Sequence, residues 1–338
     1  MDLRKLIDQN CKQSQIPWWP HFAFHFTDVM NAVSILNTGF IFCRADAASY
    51  MQNDNAARKV IDLTKASVKE FVRFYFRPLT PTQYYNEGFK HPQIQYQGAN
   101  VPVPLFFIYD LAQMMEEQGF LISGKTQAGH AEEPLNGIEA FQKLDFDKIY
   151  SYGVESAGEN KKFRQAELLY PHRWPVGKSL YRIVCRNQLE KELFLELLRK
   201  GSSCDVECFL PYITVFEKDL FYSNGLFMTN IECIGDRLIL SFSDTLAKQE
   251  YMELNMQRCG EQKLEPLPLM MTLIWKKLGY ILERKERSYL FDYSWCSLSF
   301  KGLPQIEEAD TLEVEVYIGK EKHIMGYKRF MLKEMNPI

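Results

Sequence analysis

The sequence has no long hydrophobic run. A membrane-spanning helix needs about 18 consecutive apolar residues, and no apolar stretch of this sequence is that long. We therefore expect no membrane partner. The first residues (MDLRKLIDQNCKQSQ) carry charges and no apolar centre, unlike a secretory signal. We therefore expect a cytoplasmic protein.

Cysteine patterns that would indicate a disulfide framework or a zinc site are also missing. The eight cysteines are scattered, and Cys204 and Cys208 form the only close pair in the sequence. No second pair and no nearby histidine completes a tetrahedral zinc site. We expect reduced thiols and no metal.

Positive charge is not in excess. The chain has 40 Lys and Arg against 43 Asp and Glu, a net charge of −3. This charge argues against a protein that binds a long nucleic-acid duplex by charge alone. A groove for a single strand needs only a few cations beside aromatic rings. Such cations occur locally, at Arg73, Arg77, Lys161, Lys162 and Arg164, although solvated surface positions are the alternative interpretation.

A change of hydrophobic period marks a strand followed by a helix near the N-terminus. His25 and Thr27 alternate with phenylalanines, the two-residue period of a half-buried strand. After Asp28, apolar residues recur at helical spacing as far as Leu36. Asp28 is the expected N-cap, and Gly39 the expected left-handed residue at the helix end.

A carboxylate stands at the start of a second apolar strand. Glu167 follows Arg164-Gln165-Ala166 and precedes two leucines, after the polar loop SYGVESAGEN. The strand would hold the acid still while the loop holds a substrate. At a strand mouth we expect Glu167 to contribute little to packing, and a solvated edge residue is the alternative interpretation.

Five blocks in this order resemble the DarT family of nucleic-acid ADP-ribosyltransferases. They are His25 with Thr27, a helix with Asn31, Ile35, Leu36 and Gly39, the segment FVRFYFRPLTP at 71–81, the tripeptide Gly-His-Ala at 129–131, and Arg-Gln-Ala-Glu at 164–167. Arg73 stands where the family has proline. The resemblance covers about residues 20–222.

The resemblance implies an α+β fold, with a split β-sheet core and surrounding helices around a cleft for NAD⁺, the co-substrate. Glu167 is implied as the catalytic carboxylate, which stabilises an oxocarbenium-like ribose and accepts a proton from the acceptor nitrogen. His25, Thr27 and Asn31 are implied to contact NAD⁺. For the family's arginine at the cofactor we expect Arg58, with Arg44 as the weaker alternative.

The same resemblance implies a nucleic-acid groove beside the cleft. We expect Tyr152 and Phe163 to stack on an unpaired base, and the cations to hold the strand. The predicted cations are Arg77, Lys161, Lys162 and Arg164. Thymine or guanine in single-stranded DNA, or a base in RNA, are the open choices of acceptor.

Residues 1–222 and 223–338 are predicted to form two domains. The second alternates apolar and polar residues, which predicts a mostly antiparallel β domain of sandwich form, with helical signal only around 267–281. The leading hypothesis is a toxin of a toxin–antitoxin or anti-phage system, neutralised by a macrodomain hydrolase or a masking protein. A transferase acting on protein, or a binding module without activity, are the alternatives.

Overall fold

A computed structural model describes residues 3–54, 57–127, 133–153, 160–201 and 206–332. Within these ranges the α-helices are α1 (Leu3–Gln13), α2 (Val29–Thr38), α3 (Arg58–Leu63), α4 (Pro81–Asn86), α5 (Leu111–Met114), α6 (Gly137–Gln142), α7 (Phe146–Ile149), α8 (Gln188–Gly201) and α9 (Leu246–Cys259). The strands over the same ranges are β1 (Phe22–Asp28), β2 (Phe40–Phe42), β3 (Phe71–Tyr75), β4 (Pro104–Asp110), β5 (Leu121–Ser123), β6 (Leu135–Asn136), β7 (Glu167–Pro171), β8 (Arg173–Pro175), β9 (Leu180–Cys185), β10 (Ile213–Val215), β11 (Met228–Ile234), β12 (Arg237–Phe242), β13 (Leu267–Lys277), β14 (Tyr280–Phe291), β15 (Ser297–Phe300), β16 (Thr311–Ile318) and β17 (His323–Met331).

The first part of the chain is built on an eight-stranded sheet with the order β10-β9-β4-β1-β3-β7-β5-β6. β10 and β9 are parallel, and the other neighbouring strands are antiparallel. β1 pairs with β4 from Phe22 to Asp28, but with β3 only at Phe24 and Tyr75. The sheet therefore opens between β1 and β3, and the predicted split α+β core is confirmed.

The strand-to-helix corner forms as its sequence predicts. Asp28 ends β1 in an extended conformation and its Oδ1 accepts a hydrogen bond from the Met30 backbone N–H at 2.9 Å, which caps α2. Gly39 ends the helix at φ +74°, a conformation that favours glycine. The same Asp28 oxygen accepts from Asn53 Nδ2 at 2.7 Å, so the corner also holds a loop.

The C-terminal part packs a three-stranded sheet (β11-β12-β15) against a four-stranded one (β14-β13-β16-β17), and all pairs are antiparallel. The predicted antiparallel β architecture is confirmed. The helical expectation for 267–281 is wrong, because this segment forms β13 and the start of β14. Thr272 and Ile274 are buried on the outer face of β13 as well, which removes the alternation that marks a strand.

Helix α9 was not predicted, because the distribution of apolar residues in its sequence is not that of an amphipathic helix. Leu246 and Leu254 are exposed, whereas Lys248, Tyr251 and Asn255 face the interior. Polar residues therefore take the buried positions, and the usual apolar stripe of an amphipathic helix is missing from the sequence.

The two parts meet along a buried seam, which joins residues 87–90 to residues 222–226. Phe89 and Leu226 exchange backbone hydrogen bonds of 2.9 and 3.0 Å. Lys90 Nζ donates to Asn224 Oδ1 at 2.7 Å, and the Glu87 carboxylate accepts from the Ser223 backbone at 2.7 Å. The second hydrophobic core also draws residues from the first part of the chain, namely Phe89, Ile94 and Leu189.

No helix of the described residues is long and apolar enough to cross a membrane.

Candidate active site

A cleft of about 280 Å³ lies where β1 and β3 separate. Strand β1 contributes His25 and Thr27 to its wall, and β3 contributes Arg73 and Tyr75. Helices α2 and α4 and the loop at 44–54 form other parts of the wall. The strands that the sequence singled out for chemistry therefore meet at one opening.

Glu167 opens β7 directly beside β3, and its side chain is 0% exposed. Arg73 Nε donates to one carboxylate oxygen at 2.9 Å, and Arg73 Nη2 donates to the other at 2.6 Å. The Tyr75 hydroxyl donates to the same carboxylate. Because Arg73 and Tyr75 both line the cleft, Glu167 lies behind them. The expectation that this glutamate contributes little to packing is wrong.

The electrostatics of Glu167 balance two opposing effects. Burial raises the pKa of the Glu167 carboxyl above its usual range, and the charge and hydrogen bonds of Arg73 partly offset that rise. The pKa of Arg73 is raised in turn by its ion pair with Glu167. A buried carboxylate with a raised pKa is a stronger base than a solvated one, which suits the predicted role.

His25 lies between Phe74 and Phe107 and spans the split in the sheet. Its Nδ1 lies 3.2 Å from the carbonyl oxygen of Arg73. Since a carbonyl only accepts, this contact requires the proton on Nδ1 and leaves Nε2 as an acceptor. Burial lowers the pKa of His25 to about 4, so the ring is neutral at neutral pH.

Thr27 and Asn31 also reach the cleft, in different ways. Thr27 is buried on β1, where it forms part of the cleft wall. Asn31 Oδ1 accepts from the backbone N–H groups of Gln52 and Asn53 at 2.8 and 3.0 Å, and its Nδ2 donates to the Asn53 carbonyl at 2.9 Å. Asn31 therefore holds the loop that forms one rim of the cleft.

The two candidate arginines have different positions. Arg58 begins α3 with an exposed side chain, and it does not belong to the described lining of the cleft. Arg44 does line the cleft, where its guanidinium pairs with Asp54 at 2.6 Å. The weaker alternative in the sequence thus has the better position, because the chain turns back at 44–54 over α2.

A basic cluster surrounds Phe163 at the other side of the cleft. Lys148, Lys125 and Lys162 place their Nζ atoms 4.9, 5.3 and 5.4 Å from the centre of the Phe163 ring. The backbone N–H of Thr126, which lines the cleft, donates to the carbonyl of Lys162 at 3.0 Å. Lys162 and Phe163 were predicted to hold nucleic acid, whereas Lys125 and Lys148 were missed because they are distant in sequence.

Arg77 has a structural position rather than the predicted nucleic-acid contact. Its side chain is buried, and its guanidinium donates to the carbonyls of Pro78 at 2.9 Å, Ile149 at 3.1 Å and Ser151. The guanidinium carbon also lies 4.6 Å from the centre of the Trp19 ring. These contacts enclose the charge, so Arg77 orders the segment 149–151 from within.

Arg164, Tyr152 and Lys161 remain at the surface near this segment. Arg164 donates to Ser151 Oγ at 3.1 Å and to the Gly153 carbonyl at 2.9 Å. Tyr152 is exposed, with its ring 5.9 Å from that of Trp19. Lys161 is exposed above the ring of Tyr85. The predicted Gly-His-Ala block at 129–131 and loop residues 154–159 lie outside the described residues.

Sequence reasoning missed the partners of Glu167. From the sequence, Arg73 is predicted only as one of several local cations. Both partners face Glu167 because Tyr75 is its register partner and Arg73 lies two residues away on the same strand face. The available signal was the alternation in the segment FVRFY (71–75). Among the described residues, no group of three or more His, Cys, Asp or Glu is arranged to hold a metal ion.

Comparisons with known proteins bear on this site. The sequence model of the DarT family, described as ssDNA thymidine ADP-ribosyltransferase, matches residues 24–208. No curated protein matches the chain. Among solved structures, Thermus sp. 2.9 DarT in complex with NAD⁺ is 20% identical, with coverage of 60% of this chain and 98% of that chain and a TM-score of 0.46.

Two further solved structures are similar. Thermus sp. 2.9 DarT in complex with ADP-ribosylated ssDNA is 19% identical over 60% of this chain and 97% of that chain, with a TM-score of 0.48. Thermosipho africanus DarTG in complex with ADP-ribose is 18% identical over 53% of this chain and 47% of that chain, with a TM-score of 0.41. Because the family model spans more than half of the 338 residues, the chain belongs to the DarT family and is an NAD-dependent ADP-ribosyltransferase.

Proposed function

We propose that this chain transfers ADP-ribose from NAD⁺ to a thymine base in single-stranded DNA. The description of its family names that acceptor, and a Thermus DarT has been solved with ADP-ribosylated ssDNA. The observation that carries the proposal is the buried Glu167, which lies behind the wall of the cleft and is held there by two lining residues, Arg73 and Tyr75.

The proposed reaction uses Glu167 at both ends. The bond from the ribose to the nicotinamide nitrogen breaks, and nicotinamide leaves with the electron pair. The carboxylate stabilises the positive charge that develops on the ribose. The acceptor nitrogen then bonds to the ribose carbon and gives its proton to Glu167. Arg73 supports this role by keeping the buried carboxylate ionised.

The binding of NAD⁺ is proposed to use the groups that line the cleft. The Nε2 atom of His25 would accept from a ribose hydroxyl, and Thr27 would position the nicotinamide end. We assign the pyrophosphate to Arg44 in preference to Arg58, since a guanidinium binds phosphate oxygens in a bidentate manner. The pyrophosphate would replace Asp54 as the partner of Arg44.

The DNA strand is proposed to run over the basic cluster around Phe163. Lysines would neutralise phosphates, while Phe163 and the exposed Tyr152 would stack on unpaired bases. Arg164 would hold the segment at 151–153 in place through its hydrogen bonds to Ser151 and Gly153. Arg77 is not assigned to the strand.

The wider biological role is part of the same proposal. We infer a cytoplasmic toxin of a toxin–antitoxin or anti-phage system, in which an antitoxin removes the adduct or masks the cleft. We also propose that residues 1–222 form the catalytic domain and residues 223–338 an accessory domain, joined through the buried seam.

The experiment is mass spectrometry of four acceptors incubated with the protein and NAD⁺. The acceptors are single-stranded DNA with thymine, the same strand with every thymine replaced by cytosine, an RNA of matched sequence, and a mixture of proteins. We expect one added ADP-ribose on the thymine-containing DNA alone. An adduct on RNA or on protein instead would overturn the proposed acceptor.

A further inference from the structure

Two tyrosines outside the cleft form a stacked pair that is flanked by cations. The rings of Tyr85 and Tyr96 have centres 4.5 Å apart and planes inclined by 29°. Lys161 Nζ lies 5.5 Å from the centre of the Tyr85 ring. The guanidinium carbon of Arg258 lies 5.5 Å from the centre of the Tyr96 ring. We call these four side chains the tyrosine stack.

The tyrosine stack begins at the rim of the cleft. Tyr85 lies on α4, the helix that also supplies Thr82 to the cleft wall. Lys161 lies on the turn Asn160–Gln165, and Thr82 Oγ1 donates to Gln165 Oε1 of that turn at 3.0 Å. Because three residues of a helix rise about 5 Å, a strand leaving the cleft would meet Tyr85 within a nucleotide or two.

The far end of the stack belongs to the C-terminal part of the chain. Arg258 lies in the last turn of α9, beyond the end of the family match at residue 208. Tyr96 lies in the segment between α4 and β4, whose neighbour Ile94 packs in the second hydrophobic core. The stack therefore spans both parts of the chain, and the buried seam fixes their relative positions.

The two cations of the stack have no carboxylate partner within the described ranges. Both side chains are exposed, and neither forms an ion pair with a described residue. Glu261, three residues beyond Arg258, instead accepts a hydrogen bond from Gln93 at 2.9 Å.

Unpaired cations next to partly exposed aromatic rings are what single-stranded nucleic acid requires. The cations take phosphates, and the rings stack with bases whatever their identity. We propose that the tyrosine stack is a second binding site for single-stranded DNA, which extends the substrate path from the cleft onto α9. This inference rests on the proposed function, because it takes the DNA strand as the substrate. It assigns to the C-terminal part a role in binding the portion of the strand that lies beyond the reacting base.

The test compares binding of short and long strands by the full chain. Fluorescein-labelled oligothymidylates of about 2 and about 20 nucleotides bracket the site sizes of single-strand binding proteins, and the shorter one cannot reach from the reacting base past Tyr85 to Tyr96 and Arg258. Dissociation constants are measured by fluorescence anisotropy without NAD⁺, for Arg258→Gln, for Tyr96→Leu and for the unaltered protein. Arg237→Gln is the matched control, since Arg237 is an exposed arginine at the start of β12.

We expect Arg258→Gln and Tyr96→Leu to weaken binding of the long strand about fivefold to tenfold. Binding of the short strand, and kcat on it, should stay unchanged, and Arg237→Gln should change neither. Equal loss for both lengths, or no loss for the long strand, would overturn the proposal. A length-dependent loss without any DNA adduct would instead overturn the proposed function and leave the tyrosine stack as a binding site.

Discussion

At the scale of single residues, the pairing of Arg73 with Glu167 decides what the cleft can do. A buried carboxylate with no cation beside it would take up a proton and lose its charge. Arg73 opposes that effect with two hydrogen bonds, at 2.9 and 2.6 Å. Burial therefore raises the pKa of Glu167, but by less than it would without Arg73, and this balance suits a base that also stabilises a cation.

The pH dependence of transfer should report this balance. Transfer needs the ionised carboxylate, so activity should fall as the pH drops through the raised pKa of Glu167. Arg73→Met removes the group that lowers this pKa, so the midpoint of the acid limb of kcat should move to higher pH. Arg73→Lys keeps the charge and should move it less. An identical midpoint in all three proteins would contradict the account.

Stability should depend on the pair rather than on either residue. Glu167→Gln leaves the Arg73 guanidinium without a charged partner, and we expect it to lower the free energy of unfolding by about 3 kcal/mol. The double variant Glu167→Gln/Arg73→Met removes both charges and should recover most of that loss while remaining inactive. Urea denaturation measures the free energy of unfolding of the single variants and of the double variant. A double variant as unstable as the sum of the single variants would show that the two residues are not coupled.

At the scale of elements, the cleft depends on a loop held to a helix. Asn31 on α2 forms three hydrogen bonds with the backbone at Gln52 and Asn53, and Arg44 lies in the same loop. Asn31→Ala should release this rim and raise the KM for NAD⁺ about tenfold, since each lost bond is worth about 1 kcal/mol and part is regained from water. The kcat at saturating NAD⁺ should change little.

The control for this prediction is Asn37→Ala on the same helix, which removes one bond to the Gly201 carbonyl at 3.1 Å. It should leave the KM for NAD⁺ unchanged. An equal rise in KM for both variants would mean that α2 as a whole, and not the rim, determines NAD⁺ binding.

The elements also show how far the sequence predicts the site. The strand of His25, the cap at Asp28 and the strand of Glu167 follow from local periods and capping chemistry, and all three form. The contact of Arg73 with Glu167 joins residues 94 positions apart, so no local pattern reveals it. The choice between Arg44 and Arg58 likewise depends on how the 44–54 loop folds back. Helix α9 and strand β13 were missed because burial there does not follow the usual polarity of a helix or a strand.

At the scale of the whole molecule, the buried seam makes the two parts depend on each other. The ionisable side chains of Glu87, Lys90 and Arg186 are buried where the parts meet, and Arg186 pairs with Glu190. Gly225 packs directly on the backbone of Gly88, so closely that a Cβ on Gly225 would lie 2.8 Å from the Gly88 Cα. If the two parts separated, the groups that contact these buried side chains would be exposed to solvent, and so would the edge of the second hydrophobic core.

We therefore expect one cooperative unfolding transition for the full chain in differential scanning calorimetry, with equal calorimetric and van't Hoff enthalpies. Residues 1–222 alone should fail to give a stable folded protein, because Phe89 and Ile94 would lose the core in which they pack. Two well-separated transitions, or a stable and active 1–222 fragment, would contradict this view of the seam.

The central claim is that Glu167, which lies behind Arg73 at the cleft, is the catalytic carboxylate of an NAD⁺-dependent transfer to DNA. The most direct measurement is the mass of a thymine-containing single strand after incubation with NAD⁺ and Glu167→Gln. The matched control is Glu190→Gln, which alters another buried, arginine-paired glutamate that lies outside the cleft. We predict that Glu190→Gln still adds ADP-ribose, whereas Glu167→Gln reduces the rate at least about 100-fold. A Glu167→Gln protein that modifies DNA at the unaltered rate would contradict the account.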